Sequence, residues 1–258
     1  MLQYLAIEKK RLVALLAHAS DDETRAHLSS LWVARSGAIA ATDGHRLAYV
    51  ERLTRNNSGD ALPRLGNKPD RVREAAHTSA GFLIPVAAIQ VAIKACGSKE
   101  AIAFRWESES PSDAPAFCDV CIIPQSWPDY TKPVPKRIDV SPVRPIPIAE
   151  ARAIVRVGTP EAVKSYPGTS FTFTAGMFPP FAQVFPSHTW LDPKEELATT
   201  GFGVNAGYLS DALALASFDS RGNGCAEVRA AGRLAPLTLH GTSPEDEHTW
   251  ILVMPMHV

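Results

Sequence analysis

Apolar positions along this chain recur with two periods, and the changes of period divide it into elements. Leu2 to Ile7 is a short apolar run suited to a strand. Leu12, Leu15, Leu16 and Ala19 then fall on one face of a helix. Leu28 to Val33 and Ala38 to Ala41 predict two strands around Arg35-Ser36-Gly37. Asp43-Gly44 supplies a tight turn, because Gly accepts positive φ at no steric cost, and Leu47 to Val50 returns as a further strand. Residues 55–80 are rich in Asn, Gly, Pro, Arg and Asp without a period, which predicts a long surface loop. Gly81 to Pro85 predicts a strand, and Val86, Ile89, Ile93 and Cys96 a second helix that stops at Gly97. Ile102 to Trp106 and Ala116 to Ile123 predict strands, and Trp127 to Tyr130 a turn. The stretch 132–147 carries five prolines and reads as an inter-domain linker.

The scheme then restarts. Ile148, Ala151 and Val155 predict a third helix, with Arg152 and Arg156 off that face. Phe171 to Thr174 alternates as a strand, whereas 177–196 holds four prolines and many aromatics and predicts no element. Gly201 to Asn205 reads as a short strand, and Tyr208, Leu209, Ala212, Leu213 and Ala216 as a fourth helix. Strands follow at Ala226 to Ala230, Leu234 to Leu239 and Trp250 to Val253. A strand-helix-strands unit thus recurs, which predicts an α+β protein with internal pseudo-symmetry. The chain of 258 residues suits two domains, placed at 1–138 and 139–258.

Composition narrows the chemistry. The net charge is −1, so no global basic field points to nucleic acid, although a local basic stripe remains compatible. The N-terminus shows no signal peptide and no run reaches membrane-span length, which implies a soluble cytoplasmic protein. Cys118 and Cys121 have the CxxC spacing, but no second pair stands nearby, so they read as buried structural thiols. Asp43 and His45 with Ser29, Ser30 or Ser36 could supply triad residue types, yet no GxSxG elbow occurs. His27, His45 and His257 lack metal-site spacing, and no phosphate-binding loop is present. The sequence therefore implies no catalytic residue, metal or cofactor and directs attention to surfaces.

Two segments carry a family resemblance. Ala41-Thr42-Asp43-Gly44-His45-Arg46-Leu47-Ala48 and Val253-Met254-Pro255-Met256 resemble signature segments of the bacterial replicative sliding clamp, the DNA polymerase III beta subunit. Residues 9–28, 82–89, 128–130 with Pro135, and 201–215 resemble further segments of that family in the same order. The resemblance covers the family's second and third domains only, and nothing before Met1 matches its first. It implies two clamp-like domains, each with two helices packed on antiparallel sheets, assembling into a ring. Because family rings have six domains, it implies a homotrimer. The function implied is that of a processivity factor that encircles double-stranded DNA and tethers polymerase or repair proteins, with a clamp loader as a further partner. The alternative is a clamp-derived adaptor that does not encircle DNA.

The resemblance also assigns residues. Thr42, Gly44, His45, Arg46 and Leu47 match one wall of the family's partner-peptide groove, Leu28 its floor and Pro135 its domain junction. Leu252, Val253, Met254, Pro255, Met256, His257 and Val258 match the other wall, with Pro236 beside them. Flexible, polarizable Met suits a groove that takes several short linear motifs. For the DNA backbone, Lys9, Lys10, Arg11, Lys94, Arg152 and Arg156 lie on or beside predicted helices, and Arg25 and His27 match a DNA-touching loop. The fourth helix departs from this pattern, since Asp211 is its only charge.

Overall fold

The computed structural model describes residues 2–34, 38–51, 81–107, 115–124, 153–166, 168–184, 203–217, 226–230, 235–242 and 248–256. The predicted loop at 55–80, the turn at 127–130 and the linker at 132–147 lie outside them. The elements run β1 (Leu2–Glu8), α1 (Lys9–Leu16), β2 (Ser30–Ala34), β3 (Ala38–Thr42), β4 (Arg46–Glu51), β5 (Gly81–Pro85), α2 (Val86–Ala95), β6 (Glu100–Glu107) and β7 (Phe117–Pro124). They continue with β8 (Ile154–Gly158), α3 (Pro160–Lys164), β9 (Ser170–Thr172), a 3-10 turn (Phe181–Gln183), α4 (Ala206–Ala216), β10 (Glu227–Ala230), β11 (Leu237–Thr242) and β12 (His248–Val253). The fold is α+β, as the alternating periods imply.

Two sheets enclose the core. One has five strands in the order β1-β6-β7-β8-β9, and the other has seven in the order β10-β11-β12-β4-β3-β2-β5. Both sheets continue from the first half of the chain into the second. β7 pairs antiparallel with β8, and β4 pairs antiparallel with β12. One apolar cluster spans both sheets and the helices, from Leu5, Leu12, Leu31, Val50, Ile89, Phe104 and Val120 to Leu215, Leu239 and Val253. The face of each helix that enters it follows the 3.6-residue period: Leu12 and Leu15 on α1, Ala88, Ile89 and Ala92 on α2, Ala212, Leu215 and Ala216 on α4. Asn205 starts α4 by accepting from Gly207 N and Tyr208 N at 2.9 and 3.2 Å, a cap worth about 1 kcal/mol.

The third helix requires correction. Its described part, Ile154–Gly158, is strand β8, antiparallel to β7 with Val155 opposite Val120. Val155 and Val157 alternate onto the core while Ile154 and Arg156 point the other way, so period two prevails, helped by three β-branched residues. The short helix comes later, where Thr159 accepts from Ala162 N and Pro160 occupies the first turn. Cys118 joins the large core, whereas Cys121 lies in a separate cluster on the opposite face of the five-stranded sheet. A spacing of three on a strand puts side chains on opposite faces, so the pair cannot share a ligand. Burial pushes both thiols up, Cys121 to about 12.

On the outer side of the five-stranded sheet, Arg105, Asp119 and Arg156 stand opposite one another across β6, β7 and β8. The Asp119 carboxylate is fully buried and accepts from Arg105 Nε and Arg156 Nε, each at 2.9 Å. The Arg156 guanidinium also lies 4.0 Å over Phe117 and 3.7 Å over Tyr166. This row ties the first half of the chain to the second. Asp119→Asn removes the buried carboxylate that both guanidinium groups share, and denaturant titration should show a loss of about 3–5 kcal/mol.

Candidate partner-binding site

The turn from β3 to β4 is held by its own polar side chains. Gly44 has φ 96°, a conformation that costs other residues strain. Thr42 Oγ1 donates to Arg46 O at 2.6 Å and accepts from Gly44 N at 3.1 Å. Asp43 Oδ1 accepts from His45 N at 2.8 Å and Arg46 N at 3.1 Å. Such an Asx turn fixes the backbone before any long-range contact forms.

Arg46 then links three elements. Its Nε lies 3.0 Å from Asp43 Oδ2, and its Nη1 lies 2.6 Å from Asp211 Oδ2 on α4. Nη2 donates to Ala17 O at the end of α1. The guanidinium centre sits 4.3 Å from the ring of Tyr208. The imidazole of His45 stacks on the same ring, with centroids 6.4 Å apart and planes at 21°. His45 itself is exposed.

The C-terminal segment lies beside this turn. Val253 pairs with Arg46 at the end of the β4–β12 ladder, and Met254 N donates to His45 O at 2.9 Å. Met256 bridges to Gly203, donating to its carbonyl at 2.8 Å, just ahead of α4. Met254 and Met256 are 38% and 52% exposed, values high enough to offer both thioethers to a ligand. Pro255 is half-buried between them. The structure thus brings His45, Arg46, Met254, Pro255 and Met256 together with Gly203, Tyr208 and Asp211.

Other predicted residues lie deeper. Leu28, Leu47, Leu252, Val253 and Thr42 are buried, and Leu47 faces Leu252 across the β4–β12 pair. Pro236 is half-buried just before β11. Pro135, His257 and Val258 lie outside the described residues. Asp43, Tyr208 and Asp211 were absent from the sequence-based site. Tyr208 and Asp211 are three apart on α4 and so share one helical face, which is the signal that could have joined them.

The basic residues divide into two groups. Lys10 and Lys94 are exposed on α1 and α2. Lys9 Nζ donates to Cys96 O at 2.6 Å, and Arg11 is buried. Arg25 is exposed and pairs with Asp22 at 3.1 Å, and His27 is half-buried. Arg156 points into the Asp119 row, and Arg152 lies outside the described residues. Among the described residues no group of three or more His, Cys, Asp or Glu could hold a metal ion.

His18 lies behind the turn, fully buried, with Nδ1 donating to Ala14 O at 3.1 Å. Burial is the main cause that lowers its pKa to about 4, and the Arg46 charge adds to it, against smaller opposing effects from the hydrogen bond to Ala14 O and from Asp211 and Asp43. The folded state therefore favours neutral His18, while the unfolded chain protonates near 6.5. Stability from this group is complete above that pH and is lost as pH falls toward 4, by roughly 3 kcal/mol at most. His18→Leu should flatten that part of a denaturant-derived stability curve between pH 7 and 4.

No protein-family model matches the chain. No curated protein matches it either. Solved structures do match. A Helicobacter pylori beta clamp bound to 3,4-difluorobenzamide superposes with a TM-score of 0.51 at 10% identity, covering 100% of this chain and 66% of that one. A Caulobacter crescentus beta sliding clamp gives 0.48 at 16% identity, covering 99% and 65%. A Pseudomonas aeruginosa DNA polymerase sliding clamp gives 0.49 at 12% identity, covering 99% and 66%. This chain spans 65–66% of the length of these three clamps. It has the fold of a bacterial beta sliding clamp, over part of that clamp's length.

Proposed function

We propose that the chain is a sliding-clamp-like processivity factor, cytoplasmic and without chemistry of its own, that captures short linear motifs of polymerase or repair proteins. The observation that carries this reading is the tail. Its two methionines are exposed while its backbone is tied to the His45 turn and to Gly203. A surface made of Met254, Met256, His45 and Tyr208 is apolar, adaptable and pre-positioned, which suits exchange among several peptides. Two anchored apolar side chains would contribute roughly 3–6 kcal/mol before ordering costs, which fits weak to moderate binding. A synthetic peptide with Leu and Phe anchors should bind in calorimetry. Deleting Met254 to Val258 should abolish that binding and leave the fold intact, since β12 ends at Val253. Undiminished affinity in the truncated protein would refute the site.

For assembly, we propose that 1–138 and 139–258 are two clamp-like units and that three chains close a ring around double-stranded DNA. β1 is an end strand of one sheet and β10 an end strand of the other, so a head-to-tail contact between them would extend both sheets from one chain to the next. A clamp loader would then open the ring. A second reading, an adaptor that does not encircle DNA, is favoured by the burial of Arg11, the internal pairing of Arg156 and the lone acidic charge on α4. Sedimentation should show a trimer whose retention on circular DNA falls steeply with salt and weakens in Lys10→Glu/Lys94→Glu. A monomer at high concentration with no salt-sensitive retention selects the adaptor.

A further inference from the structure

The seven-stranded sheet is apolar on both faces. Its inner face belongs to the large core through Leu31, Val33, Ile39, Val50, Ile84 and Ile251. Its outer face carries Trp32, Leu47, Tyr49, Leu83, Trp250 and Leu252 in a second buried cluster. Ladder register sets the pattern. Leu83, Trp32, Ala40, Tyr49 and Trp250 form one row across five strands, and Thr42, Leu47 and Leu252 form the row beside it. The outer cluster therefore runs to the turn and tail of the proposed peptide site.

Among the described residues, the members of this cluster that come from outside the sheet are Phe178 and Phe181. The chain reaches them by a defined route. Thr174 N donates to Leu83 O at 3.1 Å on β5, and Gly176 turns the backbone with φ 110°. Phe178 then stacks on Trp32 with centroids 6.0 Å apart, and Phe181 meets Trp32 at 5.4 Å and Tyr49 at 5.9 Å. Phe178 and Phe181 also touch each other edge to face at 5.7 Å.

How the segment is held matters more than where it lies. Within 177–184 the backbone closes on itself: Phe181 N donates to Pro179 O, Gln183 N to Pro180 O and Val184 N to Phe181 O. Pro179 and Pro180 have no N–H to give to a ladder. The segment is therefore not a strand of the sheet. It rests on the outer face by aromatic side chains, with Met177 at 87% and Val184 at 42% exposure on either side. A Met-Phe-Pro-Pro-Phe sequence also has the chemistry expected of the partner peptide, namely large apolar anchors on a short extended stretch.

We propose that residues 177–184 are a built-in competitor: they occupy the outer sheet face beside Leu47 and Leu252, and a partner peptide must displace Phe178 and Phe181 to anchor there. The inference rests on the groove reading above and adds its regulation. Phe178 and Phe181 sit on Trp32 and Tyr49, in the row next to Leu47 and Leu252. A site free only a tenth of the time or less binds about tenfold or more weakly than the open site.

The test uses the full chain and a synthetic peptide with Leu and Phe anchors. Calorimetry first measures binding to the unmodified protein and to Phe178→Ser/Phe181→Ser. The proposal expects the double variant to bind about tenfold or more tightly. A synthetic peptide of residues 176–184 should bind that variant and compete with the first peptide. The unmodified protein supplies a readout that does not depend on the variant's folding. Amide hydrogen exchange at Phe181, Gln183 and Val184 should accelerate when the Leu-Phe peptide saturates the protein. Equal affinity for both proteins, or unchanged exchange at saturation, overturns the competitor while the groove stands. Binding of the 176–184 peptide to the variant, with no Leu-Phe binding to either protein, overturns the groove and the competitor with it.

Discussion

The site depends on one guanidinium. Arg46 closes its own turn through Asp43, reaches Ala17 at the end of α1 and holds Asp211 and Tyr208 on α4. Its side chain is 9% and that of Asp43 13% exposed, so this pair acts in a medium where charge-assisted hydrogen bonds are stronger than in water, whereas Asp211, 43% exposed, is screened by solvent. The fixed fork of Arg is what allows one residue to serve partners in three directions, which the point charge of Lys cannot do. His45, Tyr208 and Met254 are then placed by contact with this group or its neighbours, and Met256 by Gly203. His45 stacks on the ring that Arg46 caps, and the tail hydrogen-bonds to the carbonyl of His45.

Much of this was legible in the chain because it is local. The Asp-Gly turn, the alternating strands on either side of it and the helical faces of α1, α2 and α4 all follow from spacing within a dozen residues. The failure at 148–156 has a simple cause. Three apolar positions matched a helical face, but Ile154, Val155 and Val157 also match a strand, and pairing with Phe117–Cys121 decides between them. The partners of Arg46 were not legible for a different reason. Asp211 and Tyr208 are brought to it by the β4–β12 pairing, which no local pattern encodes.

The two faces of the seven-stranded sheet make the same point. Strands β2 and β3 are buried at every position, which marks a sheet covered on both sides. The sequence of these strands shows that a cover must exist, but the stretch that supplies part of it has prolines and no period. Its role emerges only from the Phe178 and Phe181 contacts. The sheet junctions also differ in character. At β7–β8 a buried carboxylate between two arginines selects a single register, because a slip of β8 by one residue would turn Arg156 into the core and away from Asp119. At β4–β12 the same task falls to apolar pairs, Leu47 with Leu252 and Tyr49 with Trp250.

The position of β12 has a consequence for the newly made chain. This strand lies inside the seven-stranded sheet, between β11 and β4, although β4 ends at Glu51 and β12 begins at His248. The first half can assemble β2 to β5 early, but one side of β4 then stays unpaired, with Tyr49 and Leu47 uncovered, until synthesis reaches the other end of the chain. An open apolar edge held through that interval is a template for pairing with other nascent chains. Contacts so distant in sequence also close slowly. The yield of this protein on refolding should therefore be governed by concentration more than by stability.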